Sequence, residues 1–244
     1  MASTSVALVT GGTRGIGKAI AVRLARAAGC RDVVFIGSVV RPSPWQTRPD
    51  LKGLMMLPRA LKAFRGGDNH LISGMGKLLE QDGFQLFGAH DVAPEILVPV
   101  GVLGGVQPSD RDRADMALGL EYLRAAGPFD IGQAVVVAGR HVLAVEAVEG
   151  TDRMLARVAE LRANGRISAA AGSGVLVKAP KPDQDRRFDL PSIGPQTVEL
   201  AARAGLAGVA VVGGATIMAD PEWLVQTADR AKLFVVGLPA GTER

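Results

Sequence analysis

Cysteine and aromatic residues are scarce in this chain of 244 residues. Its single cysteine, Cys30, cannot form an internal disulfide or build a zinc site from cysteines. Aromatic residues make up 4% of the chain, so aliphatic side chains must fill the core. Hydrophobic residues make up 48% and charged residues 21%, a balance typical of globular proteins and not of disordered ones.

Long apolar runs and nucleic-acid signals are missing as well. The most apolar stretch, residues 96–106, is interrupted by Pro99 and by glycines, so no run reaches the roughly 18 residues that a membrane span needs. No secretory signal is recognisable, and we expect a cytoplasmic protein. The formal net charge of +4 suits an anionic ligand or an anionic membrane surface. Because lysines and arginines do not interleave with aromatics, we expect no nucleic-acid partner.

A glycine-rich turn near the N-terminus resembles the nucleotide-binding turn of short-chain dehydrogenases. Residues 6–29 have the pattern of strand, turn and helix, and the turn 10–17 reads TGGTRGIG, which lets phosphates approach backbone amides. That family also requires a tyrosine and a lysine four residues apart for proton transfer. The only tyrosine is Tyr122, and Ala126 stands four residues after it. A nicotinamide-dependent oxidoreductase is therefore an alternative that the first 29 residues alone favour.

The rest of the chain alternates strand and helix patterns, which predicts an α/β protein. Ser109 and Asp112 form a capping box before one helix, and Thr151 is the predicted cap of the next. A composition change at 99–108 predicts a Rossmann-like domain over 1–100 and a catalytic α/β domain over 101–244. The predicted strands are 33–36, 84–89, 175–177, 207–212 and 233–238, with a hairpin at 133–137 and 142–148; the predicted helices are 109–126, 152–164, 195–204 and 221–231.

One charged stretch has the composition of a functional loop. Residues 178–194, KAPKPDQDRRFDLPSIG, contain three carboxylates, four cations and three prolines, and they lie between a predicted strand and a predicted helix. Binding and catalytic groups of α/β proteins commonly lie on such loops. If residues 185–189 are extended, Asp185, Arg187 and Asp189 face the same way. The alternative is a cluster of salt bridges that holds the loop.

The segment 149–152, EGTD, is a second candidate anion site. It precedes a predicted helix, so Thr151 and the first amides of that helix could meet a phosphate. Ordinary helix capping by the same residues is the alternative.

Four separated segments resemble one enzyme family. They are DVVFIGSVVRP with RPDLKGL, DRADMALGLEYLRAAGPFDIGQAVVV, VLAVEAVEGTDRML, and VLVKAPKPDQDRRFDLPSIGPQTVELAARAGLAGVAV. From about Asp32 to the C-terminus the chain is similar to the UDP-2,3-diacylglucosamine diphosphatases of lipid A synthesis, of the type unrelated to calcineurin-like phosphoesterases. The resemblance implies a two-domain α/β hydrolase that uses Mg²⁺ to cleave the substrate to lipid X and UMP at the cytoplasmic face of the inner membrane.

The resemblance also implies roles for individual residues. Asp185 of the KPDQD motif is the expected essential carboxylate, Gln184 orients water or substrate, and Asp189 is the second acid. Carboxylate oxygens are the ligands that Mg²⁺ prefers, so Asp185 and Asp189 are the expected metal ligands. The expected substrate-binding residues are Gln133, Thr151, Asp152, Lys178, Lys181 and Arg187. The expected partners are a nucleotide-lipid substrate and, peripherally, the membrane surface; the oligomeric state is open, with a homodimer as one candidate.

The N-terminal segment departs from this resemblance. Chains of this type usually begin with a longer first segment, whereas here one dehydrogenase-like strand, turn and helix takes that place. Natural divergence, a fusion or truncation, and a designed or mispredicted start are three open origins. Since any of them could leave the first domain incomplete, an inactive nucleotide-binding remnant is a further alternative.

Overall fold

The computed structural model divides into two compact units. Unit 1 comprises Met1–Pro94 and Asp185–Asp189, and unit 2 comprises Glu95–Gln184 and Leu190–Arg244. The charged stretch found in the sequence is therefore shared between the two units. The structure describes residues 7–9, 29–35, 76–77, 80–81, 83–182 and 184–241.

The described part of unit 1 contains a three-stranded parallel sheet. Strands β1 (Ala7–Val9), β2 (Asp32–Phe35) and β3 (Gln85–Phe87) lie side by side in that order. The strands predicted at 33–36 and 84–89 are thus confirmed. The glycine-rich turn 10–17 lies outside the described residues, and the Rossmann-like prediction for this domain stays a prediction.

A small apolar cluster and a short helix complete the described part of unit 1. The side chains of Cys30, Phe84 and Leu86 are buried together, and Phe188 packs against them. Helix α1 (Ala89–Val92) follows β3. Phe188 therefore anchors the segment 185–189 to unit 1.

Unit 2 is built on a six-stranded mixed sheet with the order β4-β11-β9-β7-β5-β6. Its central strands are continuous apolar runs buried on both faces, as in sheets covered by helices on both sides. Strands β7, β9 and β11 are parallel, while β5 runs antiparallel to both β6 and β7. The strands are β4 (Gly101–Leu103), β5 (Ala134–Ala138), β6 (His141–Val145), β7 (Val175–Lys178), β9 (Gly208–Val212) and β11 (Phe234–Leu238), and β8 (Ser192–Ile193) pairs separately with β10 (Ile217–Met218).

Helices cover both faces of this sheet. Helix α2 (Asp110–Ala126) packs on one face, against a cluster that includes Val135 and Val177. Helices α3 (Gly150–Ala163), α4 (Pro195–Arg203) and α5 (Pro221–Ala231) supply buried side chains to the cluster on the other face. Successive strand side chains point to opposite faces, so each central strand supplies both clusters. Each buried valine or leucine contributes about 1.5–3 kcal/mol of burial free energy.

One glycine allows close packing between a helix and the sheet. A Cβ atom added at Gly119 of α2 would lie 2.6 Å from the Cγ2 atom of Val177. Any side chain at this position would therefore push α2 away from β7.

The connections place the starts of three helices at one edge of the sheet. Helix α4 links the parallel strands β7 and β9, and helix α5 links β9 and β11. Each helix therefore begins near the carboxyl end of the preceding strand. Because β6 runs parallel to β7, helix α3 begins at the same edge. Open α/β sheets bind ligands at this edge.

The predictions for unit 2 are largely confirmed. The predicted α/β class, the strands, the hairpin and the capping box of α2 are all present: the Ser109 amide donates to Asp112 at 2.8 Å, and the Asp112 amide donates to the Ser109 hydroxyl at 3.3 Å. Gly139 and Arg140 both have positive φ, as a two-residue type I′ hairpin turn requires. No helix in the described ranges is long and apolar enough to cross a membrane.

The predicted cap of α3 is wrong. The helix starts at Gly150, Glu149 occupies the N-cap position, and Thr151 lies inside the first turn. The Thr151 hydroxyl donates to Oε1 of Glu146 at 2.9 Å. This acceptor outside the helix engages the hydroxyl, and the helix begins without a side-chain cap.

Candidate functional site

Residues 185–189 form a turn in unit 1. The amides of Phe188 and Asp189 both donate to the carbonyl oxygen of Asp185, at 3.1 and 3.3 Å. The extended geometry considered from the sequence is therefore wrong, because this carbonyl closes the chain on itself. The closure brings positions 185 and 189 together by the spacing of one helical turn.

An ion-pair network holds the Asp185 carboxylate. Its Oδ1 atom accepts from the Arg187 amide at 3.1 Å and from Nε at 3.0 Å, and its Oδ2 atom accepts from Nη2 at 2.8 Å. The other guanidinium nitrogen, Nη1, donates to Glu80 at 2.7 Å. These contacts are the salt-bridge cluster that the sequence left open as an alternative.

The network shifts the pKa values of Asp185 and Arg187. The hydrogen bonds from the Arg187 side chain hold the pKa of Asp185 below its ordinary value, although burial opposes this shift. Hydrogen bonds to Asp185 and then to Glu80 raise the pKa of Arg187. Asp185 is therefore a carboxylate at neutral pH, and Arg187 is a permanent cation.

Three predicted residues lie at the carboxyl end of β7 in unit 2. Lys178 is 7% exposed, and its Nζ atom donates to the carbonyl oxygen of Ser192 at 2.9 Å. Lys181 forms an ion pair with Asp130 at 2.5 Å. Gln184 is also 7% exposed. Its side-chain oxygen accepts from the backbone amide of Lys181 at 2.9 Å, and its backbone amide donates to the Lys181 carbonyl oxygen at 3.2 Å. This reciprocal turn fixes the chain immediately before Asp185.

Of the other predicted residues, Thr151 and Asp152 lie in the first turn of α3, and Gln133 directly precedes β5. Glu146 accepts from the Gln133 amide at 2.8 Å and from the Thr151 hydroxyl, so one carboxylate ties the base of the hairpin to the helix. Oδ2 of Asp152 accepts from the side chain of Gln196 on α4 at 2.9 Å. Gln133 and Thr151 therefore share the acceptor Glu146, whereas Asp152 is hydrogen-bonded to helix α4.

A pocket of about 540 Å³ opens in unit 2 at the first turns of α3, α4 and α5. Asp152 contributes from α3, residues 192–197 and Glu199 come from α4 and the approach to it, and residues 219, 220 and 223 come from α5 and the chain before it. Ser192, which accepts from Lys178, belongs to the pocket wall. One predicted residue, Asp152, lines this pocket, and a second, Lys178, donates to the backbone of its wall at Ser192.

Sequence reasoning missed several partners of these residues. Glu80 and Asp130 lie 107 and 51 positions from their cationic partners, and nothing in the sequence pairs them. A signal did exist for Trp223, since it is one of two tryptophans in the chain and stands next to charged residues. Its side chain is 53% exposed.

The donor chemistry of the 185–189 turn fits a divalent cation. Mg²⁺ takes oxygen ligands, often one or two carboxylates with waters and substrate phosphates completing the shell. Two lone pairs of Oδ1 are used by Arg187, whereas Oδ2 accepts one hydrogen bond and has capacity for one more ligand. Within the described ranges, no group of three or more His, Cys, Asp or Glu residues could hold a metal.

The chain matches a known family over most of its length. The family model of the LpxI N-terminal domain matches residues 15–96, and that of the LpxI C-terminal domain matches residues 99–236. The chain is 46% identical over 213 residues to the UDP-2,3-diacylglucosamine pyrophosphatase LpxI of Caulobacter vibrioides, covering 87% of this chain and 76% of the relative. The N-terminal match begins inside the glycine-rich turn, so the dehydrogenase alternative is not supported.

Proposed function

Because the chain belongs to the LpxI family, we propose that it hydrolyses UDP-2,3-diacylglucosamine to 2,3-diacylglucosamine 1-phosphate and UMP in lipid A biosynthesis. The observation that carries the proposal is the 46% identity to a pyrophosphatase of this specificity across 87% of the chain. In the reaction, a water oxygen bonds to one phosphorus, the bridging P–O bond breaks, and each product retains one phosphate.

Cationic side chains neutralise the diphosphate in this proposal. Arg187 and Lys181 are already engaged with carboxylates, so a phosphate oxygen binds by exchanging with Asp185, Glu80 or Asp130. A planar guanidinium matches two phosphate oxygens at once, which favours this exchange for Arg187. The Nζ atom of Lys178 donates to the carbonyl oxygen of Ser192, and Lys178 is the third proposed cation for the diphosphate.

Asp185 is the proposed catalytic carboxylate. Its lowered pKa keeps it ionised, as a metal ligand or an acceptor for the proton of the attacking water must be. Asp189, one turn away, is the proposed second ligand, and Gln184 is the proposed residue that orients water or substrate. When bound, Mg²⁺ would polarise the phosphoryl oxygens and lower the pKa of its water.

The acyl chains of the substrate suggest where in the cell the protein acts. Since UDP-2,3-diacylglucosamine carries acyl chains, we propose peripheral contact with the inner face of the inner membrane from the cytoplasm. We also propose that the protein forms a homodimer, which analytical ultracentrifugation can test.

The deciding experiment incubates the purified chain with UDP-2,3-diacylglucosamine in ¹⁸O-labelled water, with Mg²⁺ or with EDTA. We expect release of UMP that depends on Mg²⁺, with the label in one of the two products, which identifies the attacked phosphorus. Failure to release UMP at enzyme concentrations near that of the substrate would overturn the proposal. Binding of UMP without turnover would instead identify an inactive remnant.

A further inference from the structure

The imidazole ring of His90 lies beside the turn 185–189 in unit 1. The ring folds back over Gly88, the residue before helix α1, so a Cβ atom added at Gly88 would lie 2.4 Å from Cε1 of the ring and 2.6 Å from Nδ1. The same added atom would lie 3.1 Å from the Cα atom of Arg187. The Nδ1 edge of the ring and the backbone of the turn therefore share the space that a glycine leaves free.

A carboxylate orients the other side of this ring. The Nε2 atom of His90 lies 3.6 Å from Oδ1 of Asp91, whose Oδ2 atom accepts from the Gly88 amide at 2.8 Å. Attraction to this carboxylate favours the ring proton on Nε2, which leaves the lone pair on Nδ1. Among the described residues, no hydrogen bond engages Nδ1, and the side chain is 17% exposed. A base held by an orienting carboxylate is the arrangement that activates a nucleophile in many hydrolases.

Asp185 is poorly suited to take up a proton itself. Its two carboxylate oxygens accept three hydrogen bonds from Arg187, and those of the side chain contribute most to holding the pKa of Asp185 below its ordinary value. Such a carboxylate stays ionised and can hold a cation, but it is a weak base at neutral pH. Imidazole is the side-chain base suited to neutral pH.

We propose that His90 is a catalytic residue of the hydrolysis, with Nδ1 as the acceptor for the proton of the attacking water. The inference rests on the proposed function and leaves Asp185 the role of metal ligand. The water oxygen bonds to one phosphorus while its proton moves to Nδ1, and the bridging P–O bond breaks with its electron pair staying on the departing phosphate. The imidazolium then releases the proton to solvent, and Asp91 stabilises the ring while it is charged.

Steady-state kinetics of His90→Gln tests this role. Glutamine keeps a polar side chain of similar length but cannot take up a proton. We expect kcat for UMP release to fall about 10²- to 10³-fold, with KM for UDP-2,3-diacylglucosamine within about threefold of wild type. The matched control is His141→Gln, a change at an exposed histidine of strand β6 in unit 2, which should leave kcat unchanged. A kcat of His90→Gln close to that of wild type overturns the inference.

Chemical modification of the wild-type protein is a second readout that requires neither turnover nor a variant. Diethyl pyrocarbonate acylates unprotonated imidazole, and mass spectrometry of the digested protein locates the modified histidines. With Mg²⁺ and UMP at about ten times its Kd, modification of His90 should slow about tenfold, because only the unliganded fraction reacts, while His141 reacts at the same rate as before. Equal rates at His90 with and without UMP overturn the inference, whatever the variant shows. If the wild-type protein releases no UMP from the substrate, the proposed function fails; if it does and His90→Gln matches it, the inference alone fails.

Discussion

Two aspartates of this protein use both carboxylate oxygens, but with different kinds of partner. Asp115 on α2 is 3% exposed and accepts from the amides of Gly139 and Arg140, at 2.9 and 2.6 Å. Asp185 accepts mostly from the side chain of Arg187. Backbone amides of a hairpin turn cannot leave unless the turn opens, whereas a guanidinium can rotate away. Asp115 is therefore a fixed structural acceptor, and Asp185 can exchange its partner for a ligand.

The largest effect is expected from Asp185→Asn. The amide keeps one oxygen as a hydrogen-bond acceptor for Arg187 but loses the charge that a catalytic base or metal ligand needs. We expect kcat/KM for UMP release to fall about 10²- to 10⁴-fold while the unfolding temperature stays within a few degrees. Near-wild-type activity in this variant would remove Asp185 from the catalytic role.

Asp115→Ala should lower stability and leave activity nearly unchanged. It leaves two amides of the hairpin turn without their acceptor, and we expect the free energy of unfolding to fall by about 2–3 kcal/mol. Activity well below the unfolding temperature should stay within about twofold. Chemical denaturation measures the loss, and Glu121→Ala, an exposed change on the same helix, is the control. Equal stability of the two variants would contradict the structural role of Asp115.

Local sequence information predicted the secondary structure of unit 2 well. The capping box at Ser109 and the helix bounds follow from short-range spacing, and the buried strands follow from continuous apolar runs. The sequence analysis considered residues 185–189 as an extended segment and did not predict the turn. In the structure, the carbonyl of Asp185 accepts two amides and closes a turn instead.

The site depends on contacts that no local pattern contains. Arg187 meets Glu80 across 107 positions, and the pocket joins residues of three helices that are distant in the sequence. Such pairs are set by tertiary packing. The sequence therefore predicted Asp152 and Lys178 as separate candidates and could not predict that Asp152 lines a pocket whose wall includes Ser192, the hydrogen-bond acceptor of Lys178.

Thr151→Val should lower stability by less than Asp115→Ala. It tests whether the Thr151 hydroxyl stabilises the start of α3 or binds substrate. The Thr151 hydroxyl has one proton, which it donates to Glu146, so none remains to donate to a phosphate. We expect a loss of about 1 kcal/mol in the free energy of unfolding and a change in KM below about threefold. A KM raised tenfold with unchanged stability would show that Thr151 binds substrate directly.

The smallest effect on stability is expected from Arg187→Gln, and it depends on pH. Arg187 lowers the pKa of Asp185 in the folded protein, so the pair stabilises the fold above the unfolded pKa of about 3.9 and this contribution is lost as pH falls through the lower folded value. Because both side chains are partly exposed, we expect the variant to unfold about 1–3 °C below wild type at pH 7.

That difference should begin to shrink below about pH 4, where Asp185 of the unfolded chain becomes protonated, and should vanish as pH falls through the lower folded pKa. Thermal unfolding of both proteins between pH 3 and pH 7 measures it, with the exposed change Arg153→Gln as control for the loss of one positive charge. A difference that stays constant over this range would mean that the guanidinium stabilises the turn by packing on Phe188, 5.4 Å from its ring centroid, and not through Asp185. In that case Asp185 would not be the exchangeable partner that its contrast with Asp115 requires.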